Sequence, residues 1–229
     1  MPDGLTLDKS SGAISGTPTK AASASVTITA PPQGTTTKNQ QTFTLTIHKG
    51  AADLGTLKVT NGGTKTTTFT YGDTITVSGT IKASGTAPQA NTLAAPGKNQ
   101  AALLLGGTQL TDPVAVAGNG SFTISYKTSE KGIQTTGQAQ ILTVKYGGSD
   151  DLNEGSAACS ITLNPKKVQA EVDGAITKPF DQTAKAHVTL KLAEGALVNS
   201  SDDVTVSAPD AAYEKTDVGN DIAINLGTL

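Results

Sequence analysis

The sequence is poor in cysteine and in aromatic residues. Of its 229 residues, one is cysteine, none is tryptophan and 3% are aromatic. A single cysteine cannot form a disulfide within the chain, and Cys159 lies on an apolar parity, which predicts a small buried side chain. With 36% hydrophobic residues, any core must be aliphatic and modest, which suits small β-sandwiches.

The sequence also lacks a large excess of charge of either sign and long runs of apolar residues. The formal net charge is −2, and no run of like charges offers an attractive surface to nucleic acid or an anionic membrane. No stretch approaches the roughly 20 apolar residues that a membrane-spanning helix needs. Because Met1-Pro2-Asp3 does not begin a signal peptide, an exported parent would make this chain a fragment that lacks its signal peptide and anchor.

Residue patterns that support catalysis are missing. The sequence contains no nucleophile elbow, phosphate loop or dinucleotide fingerprint. His48 and His187 are the only histidines, and neither has a second ligand nearby at metal-binding spacing. We therefore expect no enzyme activity, no catalytic or cofactor-binding residues and no cofactor.

One acidic loop is the nearest approach to a metal site. Asp150, Asp151 and Glu154 supply carboxylates together with Asn153, and Ca²⁺ prefers such oxygen ligands. The spacing lacks a later Asp and the bidentate Glu of a calcium loop, since Thr162 stands at that place. The sequence predicts a solvated loop, with Asp150, Asp151 and Glu154 as metal candidates by residue type alone.

A stacking surface for carbohydrate is not predicted either. The four tyrosines are Tyr71, Tyr126, Tyr146 and Tyr213. Tyr126 and Tyr146 fall on inward parities, and no two exposed rings can be assigned to one face.

Alternating apolar residues indicate β-structure throughout. Between Ala139 and Leu163, two alternating segments flank a loop rich in Gly, Asp and Asn, which predicts a β-hairpin. Thr and Ser fill most polar positions and favour extended backbone. Seven strand candidates suit one sandwich: Leu57 to Thr60, Thr66 to Ala83, Ala101 to Leu105, Val114 to Val116, Ser121 to Lys127, Ala139 to Tyr146 and Ala157 to Leu163. Pro31 to Gln41 and Ser84 to Gln100 are expected to be loops.

The opening segment, PDGLTLDKSSGAISGTPT, resembles the end of the putative-Ig repeat family of secreted bacterial proteins. Its Leu5, Asp8 and Gly12 and the segment 14–18 (ISGTP) match the family pattern. The resemblance implies that residues 1–50 are a partial repeat whose earlier strands precede Met1. Alternatively, a neighbouring chain donates the missing strand, which would allow strand exchange between chains through this repeat.

The middle of the chain resembles a bacterial Ig-like domain. The similarity rests on the bend Tyr71-Gly72-Asp73, on the GNGSFxxxY-type turn at Asn119 and Gly120, and on the YGG loop after Tyr146. This resemblance assigns residues 51–165 to one such domain.

The last segment resembles the YDG repeat of bacterial surface proteins. The family's K-x-Y-D-G-T becomes residues 178–183, KPFDQT, with Phe180 in place of Tyr and Gln182 in place of Gly. Later family motifs match at 202–204 (DDV) and 217–219 (DVG). Residues 166–229 are therefore expected to form a YDG-like Ig-type repeat. Because the family usually continues further, truncation at Leu229 stays open.

Together these patterns predict an all-β chain of tandem immunoglobulin-like β-sandwich repeats with an elongated arrangement. The resemblances imply a non-catalytic structural spacer or adhesion region of a large bacterial cell-surface or secreted protein, located outside the cell or at its surface. The alternative is a set of accessory Ig-like modules in a secreted polysaccharide-degrading enzyme. The expected partner is a host or cell-surface protein or glycan, with no nucleic-acid partner and no membrane insertion.

Overall fold

The computed structural model describes residues 1–30, 39–84, 97–130 and 132–227. Within these residues the chain contains strands, turns and irregular segments and no helix, so the predicted all-β class is confirmed. No helix in these ranges is therefore long and apolar enough to cross a membrane. The chain divides into two compact units, 1–69 with 73–164, and 70–72 with 165–229. The division into three repeats stays a prediction.

The first unit begins with two separate antiparallel hairpins. Their strands are β1 (Leu5–Leu7), β2 (Ile14–Gly16), β3 (Ala22–Ala30) and β4 (Asn39–Ile47), paired β1 with β2 and β3 with β4. The turn between β1 and β2 closes through Gly12 N donating to Asp8 O at 2.8 Å. Gly12 has a φ of 74°, which explains glycine at this place in the motif.

In the β3–β4 hairpin, Val26 is opposite Phe43. Val26 is buried, whereas Ile28 and Phe43 remain more than one third exposed. This hairpin therefore buries only part of its apolar face. Most of the expected loop from Pro31 to Gln41 lies outside the described residues.

The rest of the first unit contains twelve described strands: β5 (Ala51–Asp53), β6 (Lys58–Asn61), β7 (Thr64–Lys65), β8 (Thr68–Thr70), β9 (Thr74–Thr80), β10 (Lys82–Ser84), β11 (Gln100–Leu105), β12 (Thr108–Gln109), β13 (Val114–Ala115), β14 (Ser121–Lys127), β15 (Ala139–Tyr146) and β16 (Gly155–Asn164). The candidate from Thr66 to Ala83 is divided into β8, β9 and β10, and the turn at Tyr71-Gly72-Asp73 separates β8 from β9. The expected loop from Ser84 to Gln100 lies mostly outside the described residues.

Two sheets of these strands share one core. A six-stranded sheet has the order β12-β11-β15-β16-β8 with β13 beside β11, and a four-stranded sheet has the order β14-β9-β6-β7. Both contribute buried side chains to a single hydrophobic cluster, so this part of the chain is a two-layer β-sandwich. β5 and β10 form a separate two-stranded sheet.

The core contains the residues that the alternation predicted. Leu142 is opposite Cys159 in the β15–β16 pairing, which confirms the hairpin. Seven apolar side chains on four of these strands are buried: Ile75, Val77, Phe122, Ile124, Leu142, Val144 and Ile161. Cys159, which was expected to be buried, is half-buried and packs against the same cluster.

The second unit has short strands and a small core. Its strands are β17 (Ala170–Val172), β18 (Leu190–Leu192), β19 (Ala212–Tyr213) and β20 (Ile224–Asn225), paired β17 with β18 and β19 with β20. The buried cluster consists of Ala186, Ala208 and Ala211, with five partly buried apolar residues around it. Val204 and Val206 alternate in the sequence, but they do not form a strand, and Val204 is 40% exposed.

Candidate functional site

The three acidic metal candidates in the first unit bind three different protein partners. Asp150 Oδ1 accepts a short hydrogen bond from Lys98 Nζ, which lowers the pKa of the Asp150 carboxyl. Asp151 Oδ1 accepts a bond from Ala21 N at 2.9 Å. Glu154 Oε2 lies 3.1 Å from the ammonium of Lys145. In the described part of the chain, no group of three or more His, Cys, Asp or Glu side chains could hold a metal ion.

The loop that carries these residues holds the segment between β4 and β5. Gly50 N donates to Asp151 O at 2.9 Å, and Asn153 N donates to Gly50 O at 2.8 Å. Lys49 Nζ donates to Ser149 O at 2.6 Å. Asp150, Asp151 and Glu154 are exposed, and the loop is also bonded to a segment about 100 residues earlier in the chain. We call these contacts the junction clamp, comprising residues 49–50 and 149–153 with the bond from Asp151 to Ala21.

Other predicted residues play structural parts. Tyr126 is buried and donates its hydroxyl to Glu130 O at 2.9 Å, and burial raises its pKa. Tyr146 is buried and donates to Asn99 Oδ1 at 3.1 Å. His48 and His187 are exposed. Burial raises the pKa of the Cys159 thiol, which makes it a poor nucleophile at neutral pH.

The second unit contains a cavity of about 360 Å³. Residues from three segments line it: 176–183, which contains the KPFDQT motif, 213–219 and 221–224. The KPFDQT and DVG motifs are separate in the sequence, and residues of both line this cavity. We call this space the KPFDQT cavity.

Lys178 organises one wall of the KPFDQT cavity. Its ammonium donates to Asp181 Oδ1 at 2.8 Å, Thr183 O at 2.7 Å, Thr183 Oγ1 at 2.9 Å and Lys185 O at 2.9 Å. It also lies 5.6 Å from the ring centroid of Tyr213, within the range of a cation–π interaction. Three N–H donors serve four oxygens, so this cation is committed to the protein.

The Asp181 carboxylate is ionised, and only one of its two oxygens accepts the hydrogen bonds from Lys178 and Thr183. Its Oδ1 accepts bonds from Lys178 Nζ, from Thr183 N at 2.9 Å and from Thr183 Oγ1 at 2.9 Å. These bonds, that from Lys178 above all, lower the pKa of Asp181 to about 2. All three end on Oδ1, which leaves the lone pairs of Oδ2 outside this network.

Two residues at the cavity have unusual backbones, and two have unusual exposure. Gln182, next to the lining residue Asp181, has a φ of 61°, a region that L-residues other than Asn and Asp seldom adopt. Asp221 has a φ of 54°, which aspartate tolerates better. Phe180 is 61% exposed and Val218 is 82% exposed. Strained backbone and exposed large apolar groups are both more frequent at binding sites than elsewhere.

Phe180 and Tyr213 line the same cavity, an arrangement that the positions of the tyrosines in the sequence do not predict. The departure from Tyr to Phe at position 180 of the motif was the available signal. Tyr213 is half-buried and packs against the core, so Phe180 is the exposed ring of this pair.

Comparison with known families gives two matches. Residues 1–48 match the family model described as a putative Ig domain, and residues 164–229 match the YDG domain family. No curated protein matches the chain. The matches support Ig-like repeat content, in modules that are generally non-enzymatic. The resemblance of residues 51–165 to a bacterial Ig-like domain stays a prediction.

Proposed function

We propose that the chain is a non-catalytic structural spacer or adhesion region of a large bacterial cell-surface or secreted protein. The matches to a putative Ig domain and to a YDG domain support this proposal. So does the all-β architecture, in which two sheets pack around an aliphatic core. We place the chain outside the cell or at its surface, with a protein or glycan there as its partner.

The junction clamp is the observation that carries the proposal. A spacer must hold consecutive repeats in a fixed relation, and a freely jointed linker would not do so. In the first unit, Gly50 both donates to and accepts from the 149–153 loop, and it forms a parallel bridge with Leu152. Asn153 Nδ2 adds bonds to Lys49 O and Gly50 O, each 3.2 Å long. Backbone pairing of this kind restricts rotation between the β3–β4 hairpin and the sandwich.

Surface labelling of the producing cell tests the proposed location. Antibodies raised against residues 1–229 are expected to label intact cells or the culture medium, while an antibody to a cytosolic enzyme labels only lysed cells. Detection of the chain only after lysis would contradict the proposal. The mass and the activity of the captured protein then distinguish a spacer or adhesion region from accessory modules of an enzyme. If the captured polypeptide itself hydrolyses polysaccharide, the result would favour accessory modules of a degrading enzyme.

A further inference from the structure

The KPFDQT cavity has the size and the lining of a small-ligand site. Its volume of about 360 Å³ lies at the lower end of the roughly 300–1,000 Å³ typical of ligand pockets. Apolar and polar groups both line it, including Phe180, Tyr213 and Val218 beside carboxylates, lysines and threonines. Such a mixed lining suits a ligand that has an apolar face and several hydrogen-bonding groups.

The charges of the lining restrict the ligand class. The lining carries charges of both signs, with Asp181, Asp217 and Asp221 beside Lys178 and Lys215. Lys178 is paired with Asp181, and the remaining charges are mixed, so an ionic ligand of either sign meets a like charge in the cavity. Among the described residues, Lys215, Asp217 and Asp221 form no ion pair. Their donors and acceptors therefore remain for a ligand that can both accept and donate hydrogen bonds, as hydroxyl groups do.

Phe180 supplies the apolar contact. Its ring is 61% exposed although it lines the cavity, so most of its area is open to a ligand. An aromatic face carries partial negative charge and attracts the positively polarised C–H groups of a ring placed over it. A pyranose ring presents such C–H groups on one face and hydroxyls at its edge.

We propose that the KPFDQT cavity binds a neutral saccharide unit, with its C–H face over Phe180 and its hydroxyls bonded to Asp217, Asp221 and Lys215. This inference rests on the proposed function in adhesion and names the partner class as a glycan. The Lys178 and Asp181 network forms the wall of the site and fixes its shape.

Glycan binding by the full chain tests the inference. Residues 1–229 are applied to a printed panel of neutral oligosaccharides, acidic oligosaccharides and a lysine-rich peptide, and hits are titrated by NMR. We expect neutral oligosaccharides to bind, with shifts confined to signals of the cavity-lining residues. Phe180→Ala should weaken binding by about tenfold, which corresponds to the loss of one aromatic contact. Asp217→Asn should weaken it by a similar factor of about ten.

Matched variants control for unrelated effects of the substitutions. Phe43→Ala removes another partly exposed ring, and Asp203→Asn neutralises an exposed carboxylate; neither residue lines the cavity. Both are expected to bind like wild type. Restoration of affinity by Phe180→Trp would support stacking, and the melting curve of each variant shows whether it is folded.

Several results would overturn the inference. These are no neutral saccharide binding up to millimolar concentration, preference for the acidic glycans or the peptide, shifts outside the cavity, or equal binding by wild type and Phe180→Ala. Surface labelling of the producing cell is independent of them. A labelled surface without saccharide binding would therefore refute this site alone, whereas saccharide binding by a chain found only after lysis would refute the proposed function.

Discussion

Gln182 occupies a backbone conformation that glycine adopts more easily, and Gln182→Gly is expected to stabilise the second unit. Its φ is 61°, and the side chain is exposed, so the substitution removes no buried contact. Thr183 N would still donate to Asp181 Oδ1 across this residue, since that 2.9 Å bond does not involve the Gln182 side chain. The YDG pattern has glycine at the same place.

The expected gain follows from two opposing effects. Left-handed backbone costs an L-residue about 1 to 2 kcal/mol relative to the right-handed region. Glycine gives up about 0.5 to 1 kcal/mol because its unfolded chain is more flexible. The midpoints of these two ranges leave about 0.75 kcal/mol in favour of the Gln182→Gly variant, which raises Tm by about 3 to 6 °C for a unit of this size.

Calorimetry of the full chain measures this effect, with hydrogen exchange of peptides from 165–227 assigning it to the second unit. Gln182→Ala retains the strained φ and should melt within about 2 °C of wild type. Gln169→Gly is the matched control, because Gln169 is exposed in the same unit and its φ is not positive. That variant should lose about 0.5 to 1 kcal/mol.

Equal or lower stability of Gln182→Gly would refute the reasoning. It would mean that position 182 is not strained in solution, or that the glutamine side chain makes a contact that offsets the strain. Stabilisation by both glycine variants would also refute it, since the gain would then not depend on φ.

Four other predictions concern both units. Because the folded-state pKa of Asp181 is about 2, below its ordinary value of 3.8, its stabilising contribution is full above about pH 4 and should disappear as pH falls toward 2; Asp181→Asn should flatten the Tm profile in that range. Ile161→Ala should destabilise the sandwich by about 2 to 5 kcal/mol in urea unfolding, because the side chain is 1% exposed. Asp151→Ala should accelerate amide exchange in residues 20–30 about tenfold, because the hydrogen bond from Ala21 N to Asp151 is lost. Millimolar CaCl₂ should leave the Tm of the wild-type chain unchanged. A calcium-dependent rise in Tm that is abolished in Asp151→Ala would reveal a metal site. β4 has the sequence NQQTFTLTI and carries no charge that would oppose pairing with a second copy of the chain. Sedimentation that depends on concentration, together with protected β4 amides, would support strand exchange. A monomer at all concentrations would contradict it.

The sandwich could be predicted from sequence because its signals are local. Leu142, Val144 and Tyr146 alternate on β15, and the turn-forming residues after them set the pairing with β16. The burial of Lys145 does not follow from this alternation, because Lys145 lies between Val144 and Tyr146 and should face away from them. Its side chain is nevertheless 0% exposed, and its ammonium is paired with Glu154. Strand bounds differ from expectation mainly where a bend interrupts an alternating run, as it does between β8 and β9.

The junction clamp could not be predicted in the same way. Asp151 meets Ala21, which lies 130 residues away, and neither residue belongs to a motif that indicates the contact. The acidic composition of the loop instead indicated calcium or solvent, because residue type alone does not reveal which donors the fold brings near. Val204 shows the opposite failure: a short alternating pattern favours a strand, but the segment forms no strand and pairs with none among the described residues.

The second unit shows why a polar network can be structural and still form a binding site. Its buried cluster contains three alanines, and an alanine side chain contributes little hydrophobic free energy compared with leucine or isoleucine. The loop from 178 to 185 must therefore be fixed by other means, and Lys178 provides them by bonding oxygens of Asp181, Thr183 and Lys185. Phe180 belongs neither to the buried cluster nor to the Lys178 network, and it is 61% exposed at the cavity. Substitution of Lys178 would disturb the fold and the site together, so only residues such as Phe180, which the network does not use, can separate binding from stability.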